Sequence, residues 1–508
     1  MTKILNLLTS RAFLVSTLMF IEIVLIASIM IFLSWLIIPI FFLFLLSNII
    51  IVIGIISRNN NPMFKIAWIV PVLAIPVVGA LFYIMFGRTH LNKRNTRNLT
   101  LAYNSASDFF TSNSELLSRI SEKEPHIARE AYYIMESSKT DVYEFTETEY
   151  LSPGNVFYEK LIFELKKAKK FIFIEYFIIN EGEMWETIKH ILAEKQTQGV
   201  EVRVMYDDMG SAISGVTAAF SQELRKLGFK VAVFNPYKPS LDKFLNYRDH
   251  RKICIIDSKV AFTGGINIAD EYIGINDRLG HWQDSGVMLR GDAVNRMSVM
   301  FLQMWTFATN EMPSYKDYII DFKANHDGYV IPFSDEPLIQ DLICESAYIN
   351  IIANATKYVY INAPYLIIDQ NVSSALIRAA KSGVDVKIIT PGTPDKKLIY
   401  YMTQSNYKDL IEAGVNIYEY VPGFIHNKTI VSDDEKAIVG TANFDYRSFY
   451  LHFENGVWLY GSKAVLQAKA SFEKALSLSR KVTREQIDAT PFGRRLACSL
   501  LQVFAPLL

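Results

Sequence analysis

Cysteine is scarce in this 508-residue chain: Cys254, Cys344 and Cys498 stand far apart. Three such residues build neither a disulfide framework nor a Cys-x-x-Cys metal site, so a reducing compartment is expected. Net charge is lacking too, with Lys+Arg and Asp+Glu both counting 52. That balance supplies no bulk attraction to a polyanion. No basic-aromatic pattern for nucleic acid appears either, so no nucleic-acid partner is expected. The eight histidines include no His-x-x-x-His pair of the kind that holds zinc.

Charge is nearly absent from one long stretch. Residues 12–57 carry a single charged side chain, Glu22. A bilayer-spanning helix needs roughly 20 apolar residues, so this run predicts two spans, about 12–33 and 36–57. A second uncharged stretch, 66–86, predicts a third span or a re-entrant element kinked at Pro71, Pro76 and Gly79. The run is too long for a signal peptide and lacks a small-residue cleavage site. Lys3, Arg11, Arg58, Lys65, Arg88, Lys93, Arg94 and Arg97 flank the apolar segments. The positive-inside rule then puts the remainder of the chain in the cytoplasm, as the soluble part of a multi-pass protein of the cell membrane.

Residues 88–150 read as a polar helical connector, and beyond them the chain repeats itself. "KFIFIEYFII", "GVEVRVMYDD" and "HRKICIIDSKVAFTGGIN" are followed by "KYVYINAPYLII", "GVDVKIITPG" and "HNKTIVSDDEKAIVGTAN". Strands alternate with helical segments, which predicts α/β lobes with helices covering the sheets. The expected lobes are 151–330 and 331–482, followed by an amphipathic tail, 483–508, with a capping box at Thr483 and Gln486.

The polar residues repeat in register. Lys252, Asp257 and Asn267 follow His250 by 2, 7 and 17 positions, and Lys428, Asp433 and Asn443 follow His426 by the same intervals. Positions i and i+2 of a strand share a face, so each histidine is expected beside its lysine. Fold duplication alone does not require the same His, Lys, Asp and Asn. The two motifs are therefore read as halves of one site.

Two copies of H-x-K-x4-D resemble the phospholipase D superfamily, and the longer strings, "HRKICIIDSKVAFTGGINIADEYIG" and "FIHNKTIVSDDEKAIVGTANFDYRSFYLHFE", resemble its bacterial cardiolipin synthase branch. One departure is Gln283 in "HWQD", where the family commonly has arginine. The resemblance implies two phospholipase D-like lobes with mixed sheets, related by a pseudo-two-fold and preceded by transmembrane helices. It also implies phosphatidyl transfer between two phosphatidylglycerol molecules at the lipid bilayer, giving cardiolipin without a metal or other cofactor. Hydrolysis of membrane phospholipid by the same site is the alternative.

The residue types suit that chemistry. One neutral imidazole can attack phosphorus while a second, protonated one serves the leaving alkoxide. Lys252 and Lys428 would stabilise the phosphoryl oxygens, with Asn267 and Asn443 as further amide donors. Spacing leaves the nucleophile open; the resemblance makes it His250. Similarity also makes Asp284 and Glu454, which follow the histidines by 34 and 28 residues, the orienting carboxylates. Asp257 and Asp433 end their strands and are expected to brace loops. Lys238, Lys243, Arg248, Arg251 and Lys252 are read as a docking surface for anionic lipid. The remaining histidines, His90, His126, His190, His281, His326 and His452, are expected to be solvated or structural.

Overall fold

The structure is a computed structural model. It describes residues 11–32, 37–59, 61–87, 93–106, 109, 114–213, 215–236, 246–337 and 341–507. Lys3, Arg88, His90, Lys238 and Lys243 lie outside the described residues. The chain divides into two compact units, one formed by 1–92, 237–245 and 499–508, the other by 93–236 and 246–498.

The first unit holds the apolar helices Arg11–Phe32 and Ile37–Ile56, then Pro62–Ala74 and Pro76–Phe82. Among the described residues one helix, Ile38–Ile56, is long and apolar enough to cross a membrane. Of the two or three expected spans, that helix is the one that meets both criteria among the described residues. The apolar part of the first helix, Phe13–Ile29, is shorter. The stretch 66–86 is broken at Ile75, because Pro76 has no N–H to donate and disfavours helical backbone before it. Gly79 then packs on the Pro71 carbonyl, where a Cβ would clash.

The second unit contains two mixed sheets. Across the first run Thr146–Leu151, Gly286–Gly291, Val260–Gly264, Lys252–Ile256, Phe171–Tyr176, Glu201–Asp207 and Lys230–Phe234. Across the second run Tyr329–Asp335, His452–Tyr460, Lys436–Gly440, Thr429–Ser432, Tyr358–Asn362, Asp385–Pro391, Asn416–Tyr420 and the short Ser479–Lys481. The first seven positions correspond strand for strand. The central pairs, Phe171–Tyr176 with Glu201–Asp207 and Tyr358–Asn362 with Asp385–Pro391, are parallel, as βαβ crossovers require.

Two expected boundaries shift. Thr146–Leu151 is an edge strand of the first sheet, paired from Thr146↔Gly291 to Leu151↔Gly286, so that half begins before residue 151. The connector is also more than a spacer. Ser114–Lys123 and Pro125–Ser138 bury Leu116, Ile120, Ile127 and Ile134 in one core with Ile351, Val359 and Trp458 of the second half. An amphipathic helix needs a covered apolar face, and the second sheet supplies the cover. The tail has its expected capping box at Thr483 and Gln486. Further on, the Arg494 guanidinium lies 4.0 Å over the Tyr401 ring.

Candidate active site

Each motif begins on the other half's strand. The short strand Arg248–Asp249 runs parallel to the start of His452–Tyr460, with Asp249 opposite Phe453, and the His250 N–H donates to the Phe453 carbonyl at 2.9 Å. In the second motif Gly423–Ile425 runs parallel to His281–Gln283, with Ile425 opposite Gln283, and the His426 N–H donates to the Gln283 carbonyl at 2.7 Å. Each histidine therefore sits beside the residue that follows its partner: Glu454 for His250, Asp284 for His426.

The side chains follow that register. His250 Nδ1 lies 2.9 and 3.0 Å from the two Glu454 carboxylate oxygens. His426 Nδ1 lies 2.7 Å from Asp284 Oδ2. The pairing is crossed: each carboxylate holds the histidine of the other motif, not the one it follows in sequence. Both carboxylates are fully buried. The ammonium of Lys252 donates to the His250 carbonyl at 2.6 Å, and that of Lys428 donates to the His426 carbonyl at 2.6 Å. Each lysine thus curls back over its own histidine, as the i, i+2 spacing requires.

The residues at the glycine turns also differ between halves. Gly265 faces Asp284 so closely that a Cβ would collide with the carboxylate. Thr441, at the equivalent place, donates its hydroxyl to Glu454 Oε2 at 2.5 Å. A shorter acid meets a bare backbone in one half, and a longer acid meets a hydroxyl in the other.

Comparison with known proteins bears directly on this arrangement. The family model described as "Cardiolipin synthase, PLD-like domain" matches residues 161–305 and 348–476, more than half the chain, and "Phospholipase_D-nuclease N-terminal" matches 46–88. A cardiolipin synthase of Geobacillus kaustophilus is 35% identical over 89% of this chain and 90% of its own. One from Alkalihalophilus pseudofirmus is 34% identical over 94% and 95%. The chain belongs to the cardiolipin synthase family. An uncharacterized protein of Streptococcus mutans is 41% identical over 90% of this chain. The crystal structure of a Haemophilus influenzae phosphatidylserine synthase superposes with a TM-score of 0.56 at 14% identity, covering 75% of this chain and 98% of its own, a likeness of fold alone.

Within this member of the cardiolipin synthase family, burial and the two lysines shift the titratable groups of the site. Burial, then the charges of Lys252 and Lys428, push the His250 imidazole well below its ordinary pKa. Burial, Lys428 and Lys252 do the same to His426. Burial lowers Lys252 to about 7 and Lys428 to about 8, against the pull of the carboxylates. Asp284 is raised to about 7, chiefly by burial. Both shifts favour neutral imidazoles.

The other expected residues divide. Asp257 accepts the backbone N–H groups of Lys169, Lys170 and Phe171 at 2.7–2.9 Å. Asp433 does the same for Thr356, Lys357 and Tyr358. Both stand at positive φ, 53° and 58°, in the hairpin turns, and brace loops as expected. Asn267 is a correction: its Oδ1 accepts from Ile178 N–H and its Nδ2 donates to the Tyr272 hydroxyl at 2.7 Å. It steadies Tyr272, whose ring packs 5.5 Å from His426, instead of standing open to substrate. Asn443 keeps a buried Oδ1 without a hydrogen-bond partner among the described residues.

The lipid-docking surface is corrected as well. Arg248 is buried against Asp207 at 3.3 Å, Arg251 against Glu336 at 3.4 Å, and Lys252 belongs to the site. A sequence shows charge but not which charges a fold will bury.

His452, set aside as structural, stands inside the site, its ring 5.2 Å from that of His250. Phe177 packs edge-on to His250 at 4.9 Å, and Trp282 lies 5.5 Å from His426. Position i−2 relative to each carboxylate was the available signal for His452 and Trp282. His250, His452 and Glu454 bring ligand-type atoms within 4.8 Å of one another. A divalent cation there would face Lys252, Lys428 and Arg447, whose positive charges all act on His250. On the opposite side of the His281–Gln283 strand, His281 and Gln283 line a separate cavity of about 610 Å³ with Tyr150, Tyr420 and Lys474.

Proposed function

We propose that the protein makes cardiolipin by phosphatidyl transfer between two phosphatidylglycerol molecules, through a phosphohistidine on His250. The observation that carries this reading is the crossed pair His250–Glu454 and His426–Asp284, buried together with both lysines. Glu454 holds the proton of His250 on Nδ1, which leaves the Nε2 lone pair to attack phosphorus. The P–O bond to glycerol breaks, and His426 delivers a proton to that oxygen. Asp284, raised to about 7, shares this proton with His426 near neutral pH. The hydroxyl of a second phosphatidylglycerol then attacks, His426 takes its proton, and His250 leaves. Lys252 and Lys428 stabilise charge on the phosphoryl oxygens in both steps. Asn443 adds an amide at the same oxygens.

The apolar helices bring this site to phospholipid headgroups, with the second unit in the cytoplasm and more than one segment crossing the bilayer. The two lobes are related by a pseudo-two-fold, which the matching strand orders support.

The test is incubation of the membrane-embedded protein with headgroup-labelled phosphatidylglycerol. Cardiolipin with stoichiometric glycerol release is expected. Phosphatidic acid as the sole lipid product would mean that water is the acceptor, which is the hydrolytic alternative.

A further inference from the structure

The halves of the site differ at one repeated position. Two residues before Asp284 stands Trp282; two residues before Glu454 stands His452. Residues i and i+2 of a strand share a face, so each ring is presented beside its carboxylate. His452 Nδ1 lies 3.5 Å from Glu454 Oε1. On the far side of the ring, Arg447 Nε lies 3.4 Å from His452 Nε2. A guanidinium can only donate, so Nε2 is the acceptor and the single proton of the neutral ring is on Nδ1, facing Glu454. Burial, the main cause of a pKa lowered to about 3, keeps that ring neutral.

We propose that His452 is a positioning residue: its Nδ1–H, directed by Arg447, faces Glu454 Oε1 at 3.5 Å while Thr441 donates to Oε2, and Glu454 so held commits His250 to the tautomer that attacks. Glu454 accepts hydrogen bonds from the His250 ring and the Thr441 hydroxyl, and the His452 ring faces it at 3.5 Å. Asp284 takes instead the Ser285 N–H, at 2.7 Å, and the His426 ring. Its flanking residue, Trp282, offers an indole in place of an imidazole held by an arginine. The acid that accepts from two side chains, His250 and Thr441, serves the nucleophile. The acid with the raised pKa serves the proton carrier. This inference rests on the two-step reading given above.

The test uses the full chain in phosphatidylglycerol-containing nanodiscs, with a phosphatidyl-nitrophenol donor whose leaving group needs no proton. The nitrophenolate burst then reports attack by His250 alone. His452→Phe, which keeps a ring without nitrogens, should slow the burst by about 10- to 100-fold, the usual cost of losing an outer partner that orients a reacting group. The KM for donor should stay unchanged. His452→Asn, whose amide N–H reaches toward Glu454, should recover most of the rate. A wild-type burst in folded His452→Phe, or an Asn variant no better than Phe, would overturn the inference. If the Phe variant does not fold, His452→Ala gives the same comparison. No burst in the wild-type protein would overturn the two-step reading, and this inference with it.

Discussion

Glu454→Gln and Asp284→Asn are isosteric changes at the two crossed pairs, and the structure assigns them different defects. In Glu454→Gln the Nδ1 of His250, now 2.9 and 3.0 Å from the carboxylate oxygens, loses a charge-assisted partner. Such a bond contributes about 1.5–3 kcal/mol, which corresponds to about 10- to 150-fold in rate. That is the loss if the amide oxygen faces His250. If the amide NH2 faces it, the ring proton moves to Nε2, the attacking lone pair disappears, and a wrong tautomer of this kind costs about 10⁴-fold. The nitrophenolate burst should therefore fall within that range for Glu454→Gln, and an activated donor should not rescue it. Asp284→Asn disturbs the proton carrier, so transfer from phosphatidylglycerol should fall while the burst from the nitrophenyl donor stays within a fewfold of wild type. If instead each carboxylate served the histidine preceding it in sequence, the two variants would exchange behaviours. That exchange, measured in the same stopped-flow assay, would refute the crossed assignment.

Other outcomes follow from the same geometry. Lys252 and Lys428 lose their protons near pH 7 and 8, so their charge is present below those values and lost above them; kcat/KM for phosphatidylglycerol should fall as pH rises through that window, and a flat profile to pH 9 would contradict their electrostatic role. Gly265→Ala pushes a methyl group into the Asp284 carboxylate; activity should drop at least tenfold with little change in Tm, and unaltered turnover would show that Asp284 has room to move. Asp433 has its carboxyl held low by backbone N–H groups against the opposing effect of burial, so its stabilising contribution is present above the unfolded-state value and lost as pH falls through the folded one. Asp433→Asn should therefore lower Tm at pH 7 and narrow the gap to wild type in acid, and an equal gap at both would argue against this. Because all three native cysteines are buried, a cysteine placed at exposed Thr100 should react with an impermeant maleimide only after cell lysis; labelling of intact cells would place the second unit outside.

Local regularities made much of this protein legible in its sequence. Strands such as "KICII" and "KAIVG" declare themselves by β-branched content, and the His–Lys spacing states that both side chains share a face. Asp257 and Asp433 were recognisable as loop braces because acids at strand ends meet unpaired backbone N–H groups. The capping box at Thr483 is likewise a property of four consecutive residues. Each of these depends on neighbours a few positions away, which a linear string records.

What only the tertiary structure decided is which distant residues meet. Glu454 stands 204 positions from His250 and Asp284 stands 142 from His426. Their pairing follows from two short parallel ladders, Arg248–Asp249 on His452–Phe453 and Gly423–Ile425 on His281–Gln283. No periodicity in the chain announces those ladders, because two or three residues carry no distinctive pattern. Burial was equally hidden: Arg248 and Arg251 look like surface charge until Asp207, at the end of one strand, and Glu336, just past another, meet them. The helices before residue 140 read as a tether because their apolar faces are covered by a sheet formed more than two hundred residues later. The sequence determined the parts and the chemistry they carry; the packing of one half against the other decided which acid serves which histidine, because a hydrogen bond depends on distance in space and not along the chain.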